Sequence, residues 1–306
     1  MNNKYIITCL LSLGLFFNAV SQQINYEDPK EQKRIAQGLI KSSVGIGYAY
    51  DKMGKRKPAG YKETMEMFDK KGMLNQYIIY KDNQIKERWA FRYNKNGLKT
   101  DARCSNGKEE LIEKFKITYK GKNPILKKGE KNKVPYEITY EYKNNQLLEE
   151  IKFVNGTEIY RHTYIYDAKR NAIKKEFKKK EFVITTNYIF DNNLLISEKI
   201  YVNDSLEHYK NYTYNDKKEK YKEIKYDNHG KEISTYTYFY TSDGKVQKVA
   251  FYNPGLGYEE CSWTYTYDGN GSVSKIFTYS SKKDLNSNKK PVYVTENTYR
   301  YFPKKK

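Results

Sequence analysis

The sequence predicts an all-β protein: a long antiparallel hairpin meander of about 24-residue repeats, with roughly 20 strands in a rolled or twisted sheet and a short N-terminal helix. Three observations predict this fold. An aromatic pair recurs at a nearly fixed interval, turn-forming residues follow each pair, and apolar and polar residues alternate between the turns. A period of this length is typical of proteins in which one supersecondary unit is stacked on itself.

The first residues have the features of an export signal. Lys4 precedes an apolar run from Tyr5 to Val20, and Ala19-Val20-Ser21 places small residues at the expected cleavage site. We therefore expect residues 1–21 to be a secretory signal peptide. The alternative is a membrane anchor, but the run is short for a span and no basic cluster follows it. The mature protein should be periplasmic, on the cell surface or extracellular, with no integral membrane span after cleavage.

Residues 22–47 differ in kind from the rest of the chain, and we expect them to cap a β-hairpin repeat domain over residues 48–306. The stretch from Pro29 to Lys41 predicts a short helix, because proline opens it and apolar residues fall on one side. Such a helix would cover the first strand of the sheet, whose open edge otherwise invites aggregation.

The repeat itself is read from the aromatic pair Tyr-x-Tyr and its variants. Its second aromatic, here called position 0, lies at Tyr93, Tyr119, Tyr142, Tyr166, Phe190, Tyr214, Tyr240, Tyr267 and Tyr301. Position −2 is also aromatic in most copies, whereas position −3 is mostly Thr, Asn or Lys. Because strand side chains alternate, these positions predict an aromatic face and an opposite, solvated face.

Turn-forming residues separate the strands. Asp243-Gly244 and Asp268-Gly269 follow two of the aromatic pairs, and Asn155-Gly156 and Asn203-Asp204 follow the next strand. Asn and Asp tolerate left-handed geometry and Gly accepts a positive φ, so these residues reverse the chain. Each repeat is therefore predicted to be two antiparallel strands.

Position −4 distinguishes the ends of the series from its middle. It is aromatic near the ends, as at Trp89 and Trp263, and polar in the middle, as at His162 and Lys210. Either a groove or water-filled interior, or loose degeneration of the repeat, gives this pattern. A ligand site would lie in this incompletely covered region. The candidate ligand-binding residues are His162, Tyr164, Tyr188, Lys210 and Tyr212.

About 20 strands cannot close into a dry barrel, since barrels of about 16 to 18 strands already enclose water. An outer-membrane barrel would carry a sustained apolar band, whereas the repeated face is mostly Tyr. We therefore expect a long twisted sheet rolled on itself, or a segment of a shell.

The formal net charge is +20, and only 8 of the 57 basic residues are Arg. Compositional bias or a solvated basic face is one interpretation, and a surface for polyanions is the other. A nucleic-acid reader would use more Arg, whose planar fork matches phosphates and base edges. Together with the export signal, this excludes nucleic acid from the expected partners.

No linear signature of catalysis is present. The three histidines do not pair at metal-ligand spacing, and no phosphate loop or nucleophile elbow occurs. We expect no enzyme activity, cofactor or metal. Cys104 and Cys261 are the cysteines of the mature chain. Either they form a disulfide, which requires the sheet to close or fold over, or they are two separate buried thiols.

The blocks Tyr48–Gly54, Tyr226–Gly230 and Tyr265–Gly271 share the pattern Tyr-Asp-x-x-Gly. This pattern resembles the YD repeat of Rhs-type secreted bacterial proteins, and the resemblance covers roughly residues 48–301. Large members of that family build a β-shell around a toxin domain. The chain is more similar to the short secreted β-repeat proteins of that type, whose function is unknown.

Two functions are compatible with these features. Stacked aromatic rings and Lys suit a binding module for polysaccharide or another cell-envelope polymer. The alternative is a structural or interaction scaffold for a secreted or envelope protein complex, with a protein as its partner. Packing between strands explains much of the Tyr ladder in either case.

Overall fold

The structure is a computed structural model that describes Ile35 and residues 40–50, 55–255, 258–280 and 291–302. The predicted signal peptide and the polar stretch 282–290 lie outside the described residues, as does most of the predicted helix. Within the described ranges, no helix is long and apolar enough to cross a membrane.

The chain forms twenty strands that follow one another in sequence. They are β1 (Ile40–Ala49), β2 (Tyr61–Phe68), β3 (Leu74–Lys81), β4 (Gln84–Tyr93), β5 (Lys99–Asn106), β6 (Leu111–Lys120), β7 (Asn123–Lys131), β8 (Val134–Lys143), β9 (Gln146–Val154), β10 (Thr157–Tyr166), β11 (Ala172–Lys179), β12 (Phe182–Asp191), β13 (Leu194–Val202), β14 (Ser205–Tyr214), β15 (Lys220–Asp227), β16 (Glu232–Tyr240), β17 (Val246–Asn253), β18 (Tyr258–Tyr267), β19 (Val273–Ser280) and β20 (Tyr293–Tyr301). The predicted all-β hairpin meander and its strand number are confirmed.

The sheet closes into a barrel. Every strand pairs antiparallel with the next, and β20 returns to pair with β1, for example at Val44 opposite Thr298. The prediction of a rolled or twisted sheet is therefore confirmed only in part, because the rolled sheet closes on itself. Closure pairs the backbone groups that two free edge strands would leave exposed. A barrel of 20 strands can close without a dry interior when its inner wall carries polar side chains.

The N-terminal segment also differs from the expectation. β1 begins at Ile40, so the sheet starts before the predicted boundary at residue 48 and includes the last residues assigned to a helix. Because β1 has a partner strand on each side, it offers no edge for a helix to cap. Ile35 is 1% exposed and belongs to a buried cluster with Ile40, Phe68 and Leu74.

Turn residues act as the sequence predicts. Asn203 and Asp204 both adopt positive φ in a two-residue turn, at 46° and 65°. In the longer turns an Asx side chain closes the loop. Oδ1 of Asp268 accepts hydrogen bonds from the backbone N–H groups of Asn270 and Ser272, both at 2.9 Å. The same contacts recur in the turns that begin at Asp69, Asn94, Asn106, Asn215 and Asp227.

A β-bulge accompanies the aromatic at position 0. At Tyr214, for example, Thr213 pairs with Lys222 but Tyr214 pairs with Lys220, so Tyr221 is the extra residue of β15. Equivalent register shifts occur at Tyr93, Tyr119, Tyr142, Tyr166, Phe190, Tyr240 and Tyr267. Bulges increase local twist and bend the strand, and this repetition supplies the curvature that a closed barrel needs.

The hydroxyl at position 0 has a structural role. Tyr214 donates a hydrogen bond to the backbone carbonyl of Leu195, near the start of the preceding strand, at 2.8 Å. The equivalent bond, at 2.7 to 2.9 Å, is made by Tyr93, Tyr119, Tyr166, Tyr240 and Tyr267. Phe190 occupies this position without a hydroxyl. In these six repeats the hydroxyl therefore links its strand to the bulge of the preceding hairpin.

The two predicted faces are present. Side chains at positions 0 and −2 are half-buried in every repeat before Tyr301, whereas position −1 is mostly exposed, as at Ile165 (52%) and Ile189 (44%). Because the concave side of a closed sheet crowds and buries its side chains more, we assign the aromatic face to the inner wall of the barrel. That wall is apolar on one arc, where Val249, Cys261 and Trp263 form a buried cluster.

Candidate functional site

The candidate site is the inner wall between β7 and β16, here called the central wall. On this arc, in five consecutive repeats, the residue directly opposite position −2 is charged. The cross-strand pairs are Ile117 with Lys127, Tyr140 with Glu150, Tyr164 with Lys175, Tyr188 with Glu198, and Tyr212 with Glu223. Elsewhere in the barrel the same column holds Ala102, Val249 and Ile276. The column is thus charged on this arc and apolar at these three other positions.

His162 lies within this wall, on β10. Its ring lies 5.2 Å from that of Tyr160 and 4.9 Å from that of Phe177, measured between ring centroids. Its Nδ1 is buried and makes no hydrogen bond within the described residues. Glu150, directly opposite on β9, accepts a hydrogen bond from the Tyr160 hydroxyl at 3.0 Å. Burial and the ammonium group of Lys175 lower the pKa of His162, so its neutral form is favoured.

Glu198 connects the next two aromatics. It lies on β13 opposite both Tyr188 and Lys210, and its Oε2 accepts the hydroxyl of Tyr212 at 2.7 Å. Burial raises the pKa of Tyr212 well above its usual range, and the adjacent carboxylate raises it further. The phenol therefore remains a hydrogen-bond donor at any physiological pH.

Glu223 extends the network toward β16. Its carboxylate accepts Lys220 Nζ at 2.9 Å and lies 3.6 Å from Lys210 Nζ. Lys220 Nζ also lies 4.4 Å from the ring centroid of Tyr238, within cation–π range. From Tyr188 to Tyr238, aromatic, acidic and basic side chains thus alternate along five consecutive strands.

All five predicted ligand residues lie on this wall. His162 and Tyr164 are on β10, Tyr188 is on β12, and Lys210 and Tyr212 are on β14. Glu198 joins the last three into one network, whereas His162 and Tyr164 form a separate group around Lys175. The sequence reasoning missed the charged column itself. Its members recur at intervals of 23 or 25 residues and are Lys127, Glu150, Lys175, Glu198 and Glu223.

Two depressions of about 690 and 560 Å³ lie beside hairpin turns, one near Asp69 and Asn94 and the other near Asn215 and Thr241. None of the five predicted residues lines either depression. The described part of the chain holds no group of three His, Cys, Asp or Glu side chains placed to bind a metal ion.

The cysteines are two separate buried thiols, which was one of the two alternatives. Cys104 on β5 is 2% exposed and Cys261 on β18 is 6% exposed. The sheet does close, but even the shorter way round the ring from β18 to β5 crosses seven strand spacings. At about 4.8 Å per spacing this is roughly 34 Å along the wall, far beyond the span of a disulfide.

Comparison with known proteins gives only weak structural matches. No family model matches the chain, and no curated protein matches it. A porin-like protein from Bacteroides uniformis aligns at 10% identity and TM-score 0.39, over 84% of this chain and 97% of that one. A second, from Bacteroides vulgatus, aligns at 8% identity and TM-score 0.29, over 72% and 95%.

The TcdB2-TccC3 structure aligns at 12% identity and TM-score 0.30, over 74% of this chain but 16% of that much longer chain. TM-scores below 0.5 do not establish a shared fold. The YD-repeat assignment therefore still rests on the sequence motif, and the function must be argued from the wall itself.

Proposed function

We propose that this is an exported, non-catalytic β-barrel protein of the cell envelope that binds a polysaccharide or another hydroxyl-rich envelope polymer on the central wall. The observation that carries the proposal is the repeated pairing of a half-buried Tyr ring with a charged side chain, strand after strand. Flat aromatic faces accept sugar rings, while carboxylate and ammonium groups hydrogen-bond to hydroxyls.

The shape of the wall favours a polymer. From β10 to β14 the five predicted residues extend over four strand spacings, roughly 19 Å. This length exceeds a single sugar ring, and neither described depression encloses it. An extended chain lying across the strands would meet a new aromatic on every second strand.

The carboxylates of the wall favour binding over catalysis. Glu198 is held by the Tyr212 hydroxyl, Glu150 by the Tyr160 hydroxyl, and Glu223 by Lys220. Acid–base chemistry on a glycosidic bond needs one carboxyl group that gives up a proton and a second one across the bond. Groups tied into neighbouring side chains suit fixed recognition instead.

The outer wall supports a position outside the lipid hydrocarbon. It carries ion pairs, such as Arg161 with Glu149 and Lys128 with Glu137, the latter at 2.8 Å. A membrane-spanning barrel presents a continuous apolar band on that surface. The proposal therefore places the barrel in the periplasm, on the cell surface or outside the cell.

The test replaces Tyr188 and Tyr212 with Ala and measures retention on a panel of neutral envelope and dietary polysaccharides by affinity electrophoresis. Each change should weaken retention about tenfold, because a lost ring contact of about 1.4 kcal/mol corresponds to that factor. Tyr252→Ala is the matched control, since Tyr252 lies on the outer wall and is 36% exposed. Unchanged retention in both wall variants, with intact β-structure by circular dichroism, would refute the proposal.

A scaffold function remains the second candidate because of one feature of the outer wall. Apolar side chains are exposed beside the turns that follow position 0. They are Ile165, Ile189, Ile196, Tyr221 and Phe239, each between 37% and 52% exposed. Rows of this kind are typical of protein interfaces. Capture of one protein by the wild type, and its loss in Ile189→Lys, would favour the scaffold.

A further inference from the structure

We propose that the polymer is an acidic polysaccharide, and that lysines of the central wall bind its carboxylate groups while the neighbouring rings bind its sugars. This inference rests on the proposed function and names the ligand class of the same wall. Two groups of basic side chains carry it, one on β7 and β9 and the other on β14 and β15.

The first group surrounds Tyr136 on β8. Lys127 Nζ lies 5.7 Å from the centroid of that ring, and Lys152 Nζ lies 5.1 Å from it. Lys127 Nζ also lies 3.7 Å from the ring centroid of Phe115. Within the described residues, neither lysine has a carboxylate within ion-pair distance. Two ammonium groups thus share one aromatic platform on a half-buried surface.

The nearest carboxylates are already engaged. Glu113 accepts the Tyr136 hydroxyl at 2.7 Å and lies 3.5 Å from Lys131 Nζ. Glu150 accepts the Tyr160 hydroxyl. Burial lowers the pKa of Lys127. Repulsion by neighbouring lysines lowers this pKa further, whereas the attraction of Glu113 raises it. A ligand carboxylate would relieve both penalties.

The second group is a direct cross-strand pair of like charges. Lys210 on β14 faces Lys225 on β15, and His208 lies on the same face two residues earlier. Lys225 has no ion-pair partner among the described residues, and Lys210 shares Glu223 with Lys220. Like charges directly opposite each other destabilise a sheet, and an anion placed between them would reverse that effect.

The pKa directions agree with this geometry. Burial lowers the pKa of Lys225, and Lys210 lowers it further. The pKa of His208 is lowered by burial and by both lysines, with Glu207 and Glu198 acting in the opposite direction. Each group is therefore held where its charged form lacks compensation.

The spacing of the two groups favours a chain over a small acid. Five strand spacings separate β9 from β14, roughly 24 Å along the wall. A polymer with repeated carboxylates can occupy both groups at once, and the second contact then forms at high effective concentration. Aromatic rings lie between the groups, at Tyr164 and Tyr188, where sugar rings would stack.

The test compares polygalacturonate with its fully methyl-esterified form, by affinity electrophoresis at low and moderate salt. The wild type should retain the acid form at least tenfold more strongly. Lys127→Gln with Lys152→Gln, and separately Lys225→Gln, should remove most of that preference, because they should lower retention of the acid form far more than retention of the ester. The control, Lys199→Gln with Lys222→Gln, removes the same charge as the double variant from the outer wall and should have less than a twofold effect.

Three results would overturn the inference. Equal retention of both polymers, unaffected by the wall lysines, would leave the proposed function standing without acid recognition. An equal loss in the outer-wall control would reduce the effect to net charge. Stronger retention of single-stranded DNA than of polygalacturonate would indicate a nucleic-acid surface. If the wild-type protein retains neither polygalacturonate, nor its methyl-esterified form, nor any neutral polymer, the proposed function fails as well.

Discussion

At the scale of single residues, the central wall is built from tyrosines held in the neutral form. Burial and the carboxylate of Glu150 raise the pKa of Tyr164 to about 12, and Tyr212 shows the same direction of change beside Glu198. The rings can therefore donate hydrogen bonds throughout the physiological range. This is how a wall with few aliphatic side chains stays ordered and still presents polar groups.

Two half-buried histidines, His162 and His208, should make stability depend on pH. The pKa values of His162 and His208 are lowered in the folded protein, so the unfolded chain binds more protons once the pH falls below about 6.5. Stability should be complete above that pH and decline below it. We expect His162→Gln to reduce the loss in free energy of unfolding between pH 7 and pH 5, measured by urea denaturation.

The control for this titration is His229→Gln, because His229 lies exposed in a turn. That variant should show the wild-type dependence on pH. A decline that is just as steep in His162→Gln would show that other groups determine it, with His208 the next to replace.

Cys104 should be an unreactive thiol. Burial raises its pKa to about 11, and nearby Glu87 and Glu113 act in the same direction. Because the thiolate is the reactive form, iodoacetamide at pH 8 should modify Cys104 slowly in the native protein and rapidly in urea. Peptide mass spectrometry of a time course gives both rates. Equal rates in the two conditions would contradict the burial described above.

The positions of the wall aromatics could be predicted from the sequence, whereas the positions of the acids could not. Tyr188 and Tyr212 were found because tyrosine stands out in a repeat, whereas Glu198 resembled ordinary solvated charge in a chain with 31% charged residues. The information was present in the spacing of the charged column. It becomes interpretable only when the register shows which strand position faces a position −2 ring.

At the scale of the hairpin, one unit combines an Asx turn, a bulge and a tyrosine hydroxyl. The turns and strands were predictable because each depends on local chemistry: positive φ at Asn, Asp or Gly, and alternation between turns. The bulges were not predictable, since an extra residue in one strand is visible only against its partner.

Removing one hydroxyl should measure what this unit contributes. Tyr214→Phe deletes the hydrogen bond to the half-buried Leu195 carbonyl, which should cost about 1 kcal/mol of unfolding free energy. Tyr252→Phe, on the outer wall, should cost about zero. Phe190, which lacks the hydroxyl, indicates that one repeat tolerates its absence. Equal stability of both variants, measured by urea unfolding, would show that the bond is dispensable.

At the scale of the molecule, closure is the feature that the sequence did not disclose. Every other pairing joins neighbours in the chain, whereas the pairing of β1 with β20 joins its two ends. Glu63 on β2 strengthens this seam, accepting the hydroxyls of Tyr293, at 2.5 Å, and of Thr295, at 3.1 Å. No local pattern encodes such a contact, so a periodic sequence is equally compatible with an open sheet and a ring.

A designed disulfide tests closure directly. Val44 and Thr298 are direct cross-strand partners, and such Cα atoms lie about 4.5 to 5.5 Å apart, within the range of a disulfide. Val44→Cys with Thr298→Cys should therefore oxidise within one chain, seen as faster migration on non-reducing gels. Val44→Cys with Thr163→Cys, on distant β10, should not. Crosslinking only between chains would indicate an open sheet.

The seam also sets the order in which the protein can be completed. Nineteen of the twenty pairings can form as soon as the next strand emerges, because they join consecutive strands. One edge of β1 stays unpaired until β20 has been synthesised. Every incomplete chain therefore exposes two edge strands that can pair with other chains. If the chain is exported from its N-terminus, it enters its final compartment with these edges exposed. The chain should therefore be most prone to aggregation before β20 has paired with β1.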